Sequence, residues 1–169
     1  MVAVNRKAIT LGGILAAITV ILLYVESITP TVKLSLYVLS SFFSAVMIIE
    51  GGLRSGWIFY LVTSILAFII VPDKIGLIPY FLFFGTYGIL KSYIERIGKI
   101  VSEYVLKVLF FNICLALAFI IIRIFFIAQL NDSISLWFII IVMEVVFIIY
   151  DYVYTLFIQY YVEKLKKVR

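Results

Sequence analysis

Three ionisable side chains lie inside the two most apolar stretches of the C-terminal half: Arg123, Glu144 and Asp151. A charge inside a membrane costs a few kcal/mol or more, so such residues usually face a helix bundle and pair with one another. At about 1.5 Å per helical residue, Arg123 lies roughly 10 Å, and Glu144 roughly 15 Å, below the same end of their helices. The spacing predicts that Arg123 and Glu144 share one polar site. Asp151, seven residues beyond Glu144 on the same helix face, is expected beside Asn112 or Lys107.

Two roles are open for this polar site. As a binding site, it would hold a small solute in the outer half of the bundle, and its wall would include Glu26 and Trp137 beside Arg123 and Glu144. The arginine favours an anionic solute. As a structural element, the same charges would form a pair that fixes the register of two helices.

The elements that must position these residues are membrane helices. Of the 169 residues, 66% are hydrophobic and 14% charged, against roughly 45–50% and about 25% in soluble domains. The chain has no histidine and only one cysteine, Cys114, which excludes a Ser-His-Asp triad, a histidine metal centre and an intrachain disulfide. We therefore expect no enzyme activity, no metal and no cofactor.

Six apolar segments predict an all-α, polytopic membrane protein with six transmembrane helices in a single domain, residues 1–169. Helix-breaking residues separate the segments, such as Pro30, the pair Gly51 and Gly52, and Pro72. The connector at about residues 91–107 carries apolar residues at helical spacing and predicts an amphipathic helix on the membrane surface, or else polar extensions of the flanking helices. The six segments are Ala8 to Val25, Leu34 to Ile49, Trp57 to Val71, Ile75 to Leu90, Val108 to Leu130, and Ile134 to about Tyr160.

Lysine and arginine positions predict the orientation. With the N-terminus inside, eleven of the fourteen fall in cytoplasmic segments and two, Lys33 and Lys74, fall outside, while Arg123 lies within a helix. Positive charge accumulates on the cytoplasmic side, so this asymmetry predicts a multi-pass protein of the cell membrane with both termini in the cytoplasm. The net charge of +5 then indicates contact with anionic membrane lipid, and no nucleic-acid partner is expected.

Small residues follow helical spacing in the first segment. Ala8, Gly12 and Ala16 form one stripe, and Gly13 and Ala17 form a second pair at the same spacing. Small residues four apart let two membrane helices approach closely. These five residues predict a face that docks a partner protein, although the same packing could be internal to the chain.

A basic start precedes Ala8, Gly12 and Ala16. In this feature, and in its length, its six predicted helices and its expected cytoplasmic ends, the chain resembles the substrate-binding S components of energy-coupling factor (ECF) vitamin transporters. The residue pattern of the stretch from Glu50 through Gly85 is also similar to that of the family. The resemblance implies a bundle that binds a vitamin or related small molecule in its outer half. It also implies that the small-residue face contacts a transmembrane coupling protein driven by two ATPase subunits. Here Gly12 replaces the alanine more usual in that family.

Two other functions stay open. The size and helix count also resemble MreD, a membrane scaffold protein of the cell-wall elongation machinery, for which no ligand-induced stabilisation is expected. A membrane enzyme acting on lipid is the third possibility, with Glu144 and Asp151 as its carboxylates, but the chain offers neither histidine nor an acidic metal motif.

Overall fold

A computed structural model describes the backbone of residues 6–126 and 136–166 and the side chains of residues 8–124 and 140–164. Every regular element in this part of the chain is a helix. The stretch Tyr80–Phe84 in the third helix is π-helical, and a π-helical turn, Tyr161–Lys166, follows the last one. The helices are α1 (Arg6–Ile28), α2 (Lys33–Ile70), α3 (Leu77–Ile94), α4 (Ile100–Phe126) and α5 (Leu136–Tyr160).

All five helices are long and apolar enough to cross a membrane. Their outward faces carry large apolar side chains such as Ile9, Ile21, Ile69 and Ile124. Exposing these side chains to water is unfavourable, whereas exposing them to lipid is not. The prediction of an all-α chain is confirmed, and the helices fit a membrane protein.

The second and third predicted segments belong to one helical run, α2, of 38 residues. The run breaks at Gly52, whose φ of 78° and ψ of 177° lie in a region that essentially only glycine adopts. A Cβ atom added at Gly56 would lie 2.5 Å from Cγ1 of Ile48, although eight residues of straight helix span about 12 Å. The chain therefore turns back on itself at Gly52, and the two halves of α2 (residues 33–51 and 53–70) pack against each other.

The chain divides into two compact units, residues 1–98 and residues 99–169, and the single domain expected over residues 1–169 stays a prediction. At the connector, the structure has the second of the two alternatives left open by the sequence, extensions of the flanking helices. Residues 91–94 end α3, residues 100–107 begin α4, and a short turn containing Gly98, with a φ of +69°, joins them. No separate surface helix forms between residues 91 and 107, because the apolar positions of this stretch continue the two flanking helices.

In the first unit, α1 runs antiparallel to the first half of α2. A Cβ atom added at Gly12 would lie 3.1 Å from the Met47 side chain, and Lys33 meets Glu26 at the other end of the pair. The second half of α2 packs against α3, where the hydroxyl groups of Thr63 and Tyr80 lie 2.7 Å apart. A hydrophobic cluster in this unit consists of Ala16, Met47 and Phe59, with Leu11, Leu15 and Phe43 packed against them.

In the second unit, α4 and α5 form an antiparallel pair. The rings of Phe111 and Phe147 stack with centroids 4.6 Å apart, and Lys107 lies opposite Asp151. These contacts set the register of the two helices.

Candidate functional site

The first unit carries a charged cluster at the end where α1 passes into α2. Glu26 lies in the last turn of α1, and its side chain is fully buried, with 0% exposure. The residues around Pro30 reverse the chain, so Lys33, the first residue of α2, stands opposite Glu26. Nζ of Lys33 lies 3.1 Å from Oε1 of Glu26, and the lysine side chain remains 42% exposed.

The turn between α2 and α3 supplies the second acid of this cluster. Pro72 ends α2, and Oδ1 of Asp73 accepts hydrogen bonds from the backbone amides of Ile75 and Gly76, each 3.1 Å long. These bonds orient the carboxylate so that Oδ2 lies 3.7 Å from Nζ of Lys33. One ammonium group is thus held between two carboxylates from different turns.

Tyr37 fixes the same turn to α2. Its hydroxyl group donates to the carbonyl oxygen of Gly76, and its ring stacks on Phe84 at a centroid distance of 5.2 Å. The hydroxyl also lies beside the Glu26 carboxylate. The cluster of Glu26, Lys33, Tyr37, Asp73 and Gly76, hereafter the Glu26 cluster, is therefore built from α1, α2 and the turn before α3.

The Glu26 carboxylate is short of well-aligned hydrogen-bond donors. Within the described residues, neither carboxylate oxygen of Glu26 has a hydrogen-bond partner of good geometry, and the Lys33 ammonium is its ionic partner. A buried carboxylate lacking such donors loses hydration that it would have in water. With two carboxylates and one ammonium, the cluster also keeps a formal charge of −1. It can therefore accept further hydrogen bonds and favours a positive group.

Polar side chains of the described residues meet across the helix pair of the second unit. Nζ of Lys107 lies 3.3 Å from Oδ2 of Asp151, with side-chain exposures of 6% and 8%, which confirms Lys107 as one of the two neighbours expected for Asp151. The side-chain amide of Asn112 donates to Glu144 and also to the carbonyl oxygen of Val108. Both acids of α5 are thus satisfied by residues of α4.

The predicted pairing of Arg123 with Glu144 was wrong. Asn112 is opposite Glu144, and Arg123 lies eleven residues further along α4, about 16 Å of helix. The arginine is exposed, and its guanidinium carbon lies 5.7 Å from the centre of the Phe119 ring. The depth estimate failed because it assumed that both helices begin level at one end, whereas the aromatic and ionic contacts set a different register.

The predicted binding residues are divided between the two units. Glu26 belongs to the first unit, and Arg123, Glu144 and Trp137 belong to the second. The Trp137 side chain lies outside the described residues. Whether any of the four binds a solute stays a prediction.

The predicted docking residues of α1 are divided between a buried and an exposed face. Ala8 and Ala16 are buried, and Gly12 packs against Met47, so this stripe serves the contact between α1 and α2. Gly13 and Ala17 are exposed, and a Cβ atom added at Gly13 would meet nothing within 4 Å. A docking role stays a prediction, and its accessible part is the pair Gly13 and Ala17.

Sequence reasoning missed several members of the Glu26 cluster, namely Lys33, Tyr37, Asp73 and Gly76. One signal could have found two of them. Lys33 and Asp73 follow two helix breaks that the six-segment pattern puts on the same side of the membrane, and they carry opposite charges. Among the described residues, no group of three or more histidine, cysteine or acidic residues could hold a metal ion.

Comparisons of this chain with protein-family models, with curated proteins and with solved structures gave no match.

Proposed function

We propose that this chain is a non-catalytic, membrane-embedded subunit that binds a small solute for uptake, of the S-component type. The observation that carries the proposal is the fully buried carboxylate of Glu26, set among charged residues that reach the surface through Lys33. Ionisable groups within apolar helices are expensive and mark solute or ion sites more often than ordinary packing positions.

The proposed topology has six crossings with both termini in the cytoplasm. The reversal at Gly52 divides α2 into two legs of a length that can cross a thin or shielded region of the bilayer. Together with α1, α3, α4 and α5, these legs make six. The excess of basic residues on one side supports an orientation in which the Glu26 cluster lies at the outer surface of the cell membrane and meets solute from outside.

Cysteine labelling tests this topology. In a variant without the native cysteine, Thr31→Cys is expected to react with an impermeant thiol reagent added to whole cells. Arg54→Cys and Lys99→Cys are expected to react only after the cells are opened. Reaction of Arg54→Cys from outside, or its complete protection in opened cells, would contradict the reversal at Gly52 and the count of six.

A thermal-shift screen tests solute binding. Purified protein in lipid nanodiscs is screened with vitamins, their precursors and other small organic solutes, since a ligand at a hundredfold excess over its Kd stabilises the folded state by about 2.7 kcal/mol. We expect a hit that is lost in Glu26→Gln and kept in the matched variant Glu144→Gln. Loss of the hit in Glu144→Gln alone would move the site to the second unit.

The proposed protein partner is a transmembrane coupling protein that works with ATPase subunits, with membrane lipid around the bundle. The exposed pair Gly13 and Ala17 supports a docking face on α1, because small residues allow close helix approach. Leucine at both positions is expected to abolish solute uptake and partner co-purification while leaving solute binding intact. Ile14→Phe, on the same exposed surface, is the matched control.

A scaffold of the MreD type is the second candidate. The contacts of Lys107 with Asp151 and of Asn112 with Glu144 favour it, because charges that satisfy one another within a helix pair can be purely structural. Co-purification with cell-wall synthesis components, together with no thermal shift from any solute, would select the scaffold.

A further inference from the structure

We propose that the Glu26 cluster binds a primary ammonium group of its ligand, and that the Lys33 side chain occupies this position when the ligand is absent. The inference rests on the proposed binding function and names the chemical class that the site selects. It replaces the anionic solute suggested by Arg123, which does not belong to the Glu26 cluster.

The geometry shows two carboxylates converging on one ammonium position. Nζ of Lys33 lies 3.1 Å from Oε1 of Glu26 and 3.7 Å from Oδ2 of Asp73. Both acids also lie against Gly76, where a Cβ atom would lie 3.0 Å from Oε2 of Glu26 and 2.8 Å from Oδ2 of Asp73. A side chain at this position would therefore crowd both carboxylates.

The chemistry of these groups favours an ammonium ligand. A primary ammonium has three N–H donors and no acceptor, and the two carboxylates offer acceptor oxygens, of which those of Glu26 lack well-aligned hydrogen bonds. A ligand ammonium that displaced Lys33 would restore the same charge balance between the two acids. A carboxylate or phosphate group would instead meet the formal charge of −1 and be repelled.

Lys33 is suited to being displaced, whereas Glu26 is not. The Lys33 side chain is 42% exposed while that of Glu26 is fully buried, so the lysine can turn into water and keep its hydration. The exchange leaves no buried charge unpaired, because the ligand ammonium takes the place of Lys33 beside Glu26. Lys74 in the neighbouring turn differs, because its ammonium donates to the backbone carbonyls of Phe68 and Val71.

The ammonium could belong to a free solute or to the headgroup of phosphatidylethanolamine, since the cluster lies at the end of membrane helices. Both sources present the same group, so the experiment must separate them. The protein is therefore studied in nanodiscs of phosphatidylcholine, whose quaternary headgroup lacks N–H donors, and in nanodiscs that also contain phosphatidylethanolamine.

The test measures the melting temperature against the concentration of propylammonium chloride, with propanol and sodium chloride as controls. In phosphatidylcholine nanodiscs, Lys33→Met is expected to bind propylammonium about tenfold more tightly than the wild type, because the competing ammonium is gone. Lys33→Gln, which keeps a hydrogen-bond donor, is the second variant and should behave similarly. The matched control Lys74→Met should titrate like the wild type, and Glu26→Gln and Asp73→Asn should each weaken the response.

The outcomes separate this inference from the proposed function. Equal responses of the wild type, Lys33→Met and Lys74→Met, or no saturable response in any of them, would overturn the ammonium assignment. If a solute without an amine still gives a shift that Glu26→Gln removes, the binding function stands and only the ligand class fails. If phosphatidylethanolamine alone stabilises Lys33→Met and suppresses the propylammonium response, the assignment holds and the lipid is the source.

Discussion

Breaking the contact between Lys107 and Asp151 is expected to destabilise the second unit strongly. The two charged atoms lie 3.3 Å apart and both side chains are almost fully buried. At an effective dielectric constant of about 20, this separation corresponds to an attraction of about 5 kcal/mol, which desolvation partly offsets. Removing one partner strands the other charge, so Lys107→Met and Asp151→Asn should each cost about 3 kcal/mol of unfolding free energy.

The double variant isolates the interaction. Because Lys107→Met combined with Asp151→Asn leaves no stranded charge, it should cost about 2 kcal/mol less than the sum of the two single changes. Denaturant unfolding in nanodiscs, followed by circular dichroism and tryptophan fluorescence, gives the four free energies. The matched control is Arg123→Gln with Glu144→Gln, which should be additive within about 0.5 kcal/mol. Additivity for Lys107 and Asp151, or coupling for Arg123 and Glu144, would refute the observed register.

Two further predictions concern the reversal in α2. Gly56→Ala should destabilise the protein by about 1–3 kcal/mol in the same unfolding assay, because the added methyl would overlap Ile48. The control Gly13→Ala adds a methyl in open space and should be neutral or mildly stabilising. Equal effects of the two changes would argue against the close approach of Gly56 to Ile48. With the native cysteine removed, the double variant Ile48→Cys with Gly56→Cys should form a disulfide on mild oxidation, because the two side chains adjoin. A mobility shift on denaturing gels detects the disulfide. The control pair Leu36→Cys with Ser44→Cys, which has the same spacing within one half of α2, should not form a disulfide. The absence of a mobility shift for the pair at positions 48 and 56 would mean that α2 is one continuous helix.

The class of the chain could be predicted from local properties of the sequence. An apolar fraction of 66% leaves lipid-facing helices as the workable fold, because each backbone polar group is then satisfied within its own helix. Pro30 and Pro72 end helices for reasons that are also local, and the structure places chain reversals at both. Helical spacing alone left Asp151 beside either Asn112 or Lys107, and the structure selects Lys107.

The partners of the remaining charges depended on tertiary structure. Depth along a helix can be counted from the sequence, but the register between two helices is set by how their side chains interlock. In α4 and α5, Phe111 stacks on Phe147. In that register Asn112 lies opposite Glu144, and Arg123 does not. The Glu26 cluster was hidden for the same reason. Its acids come from positions 26 and 73, and their convergence on Lys33 beside Gly76 is recognisable only when three separate segments meet.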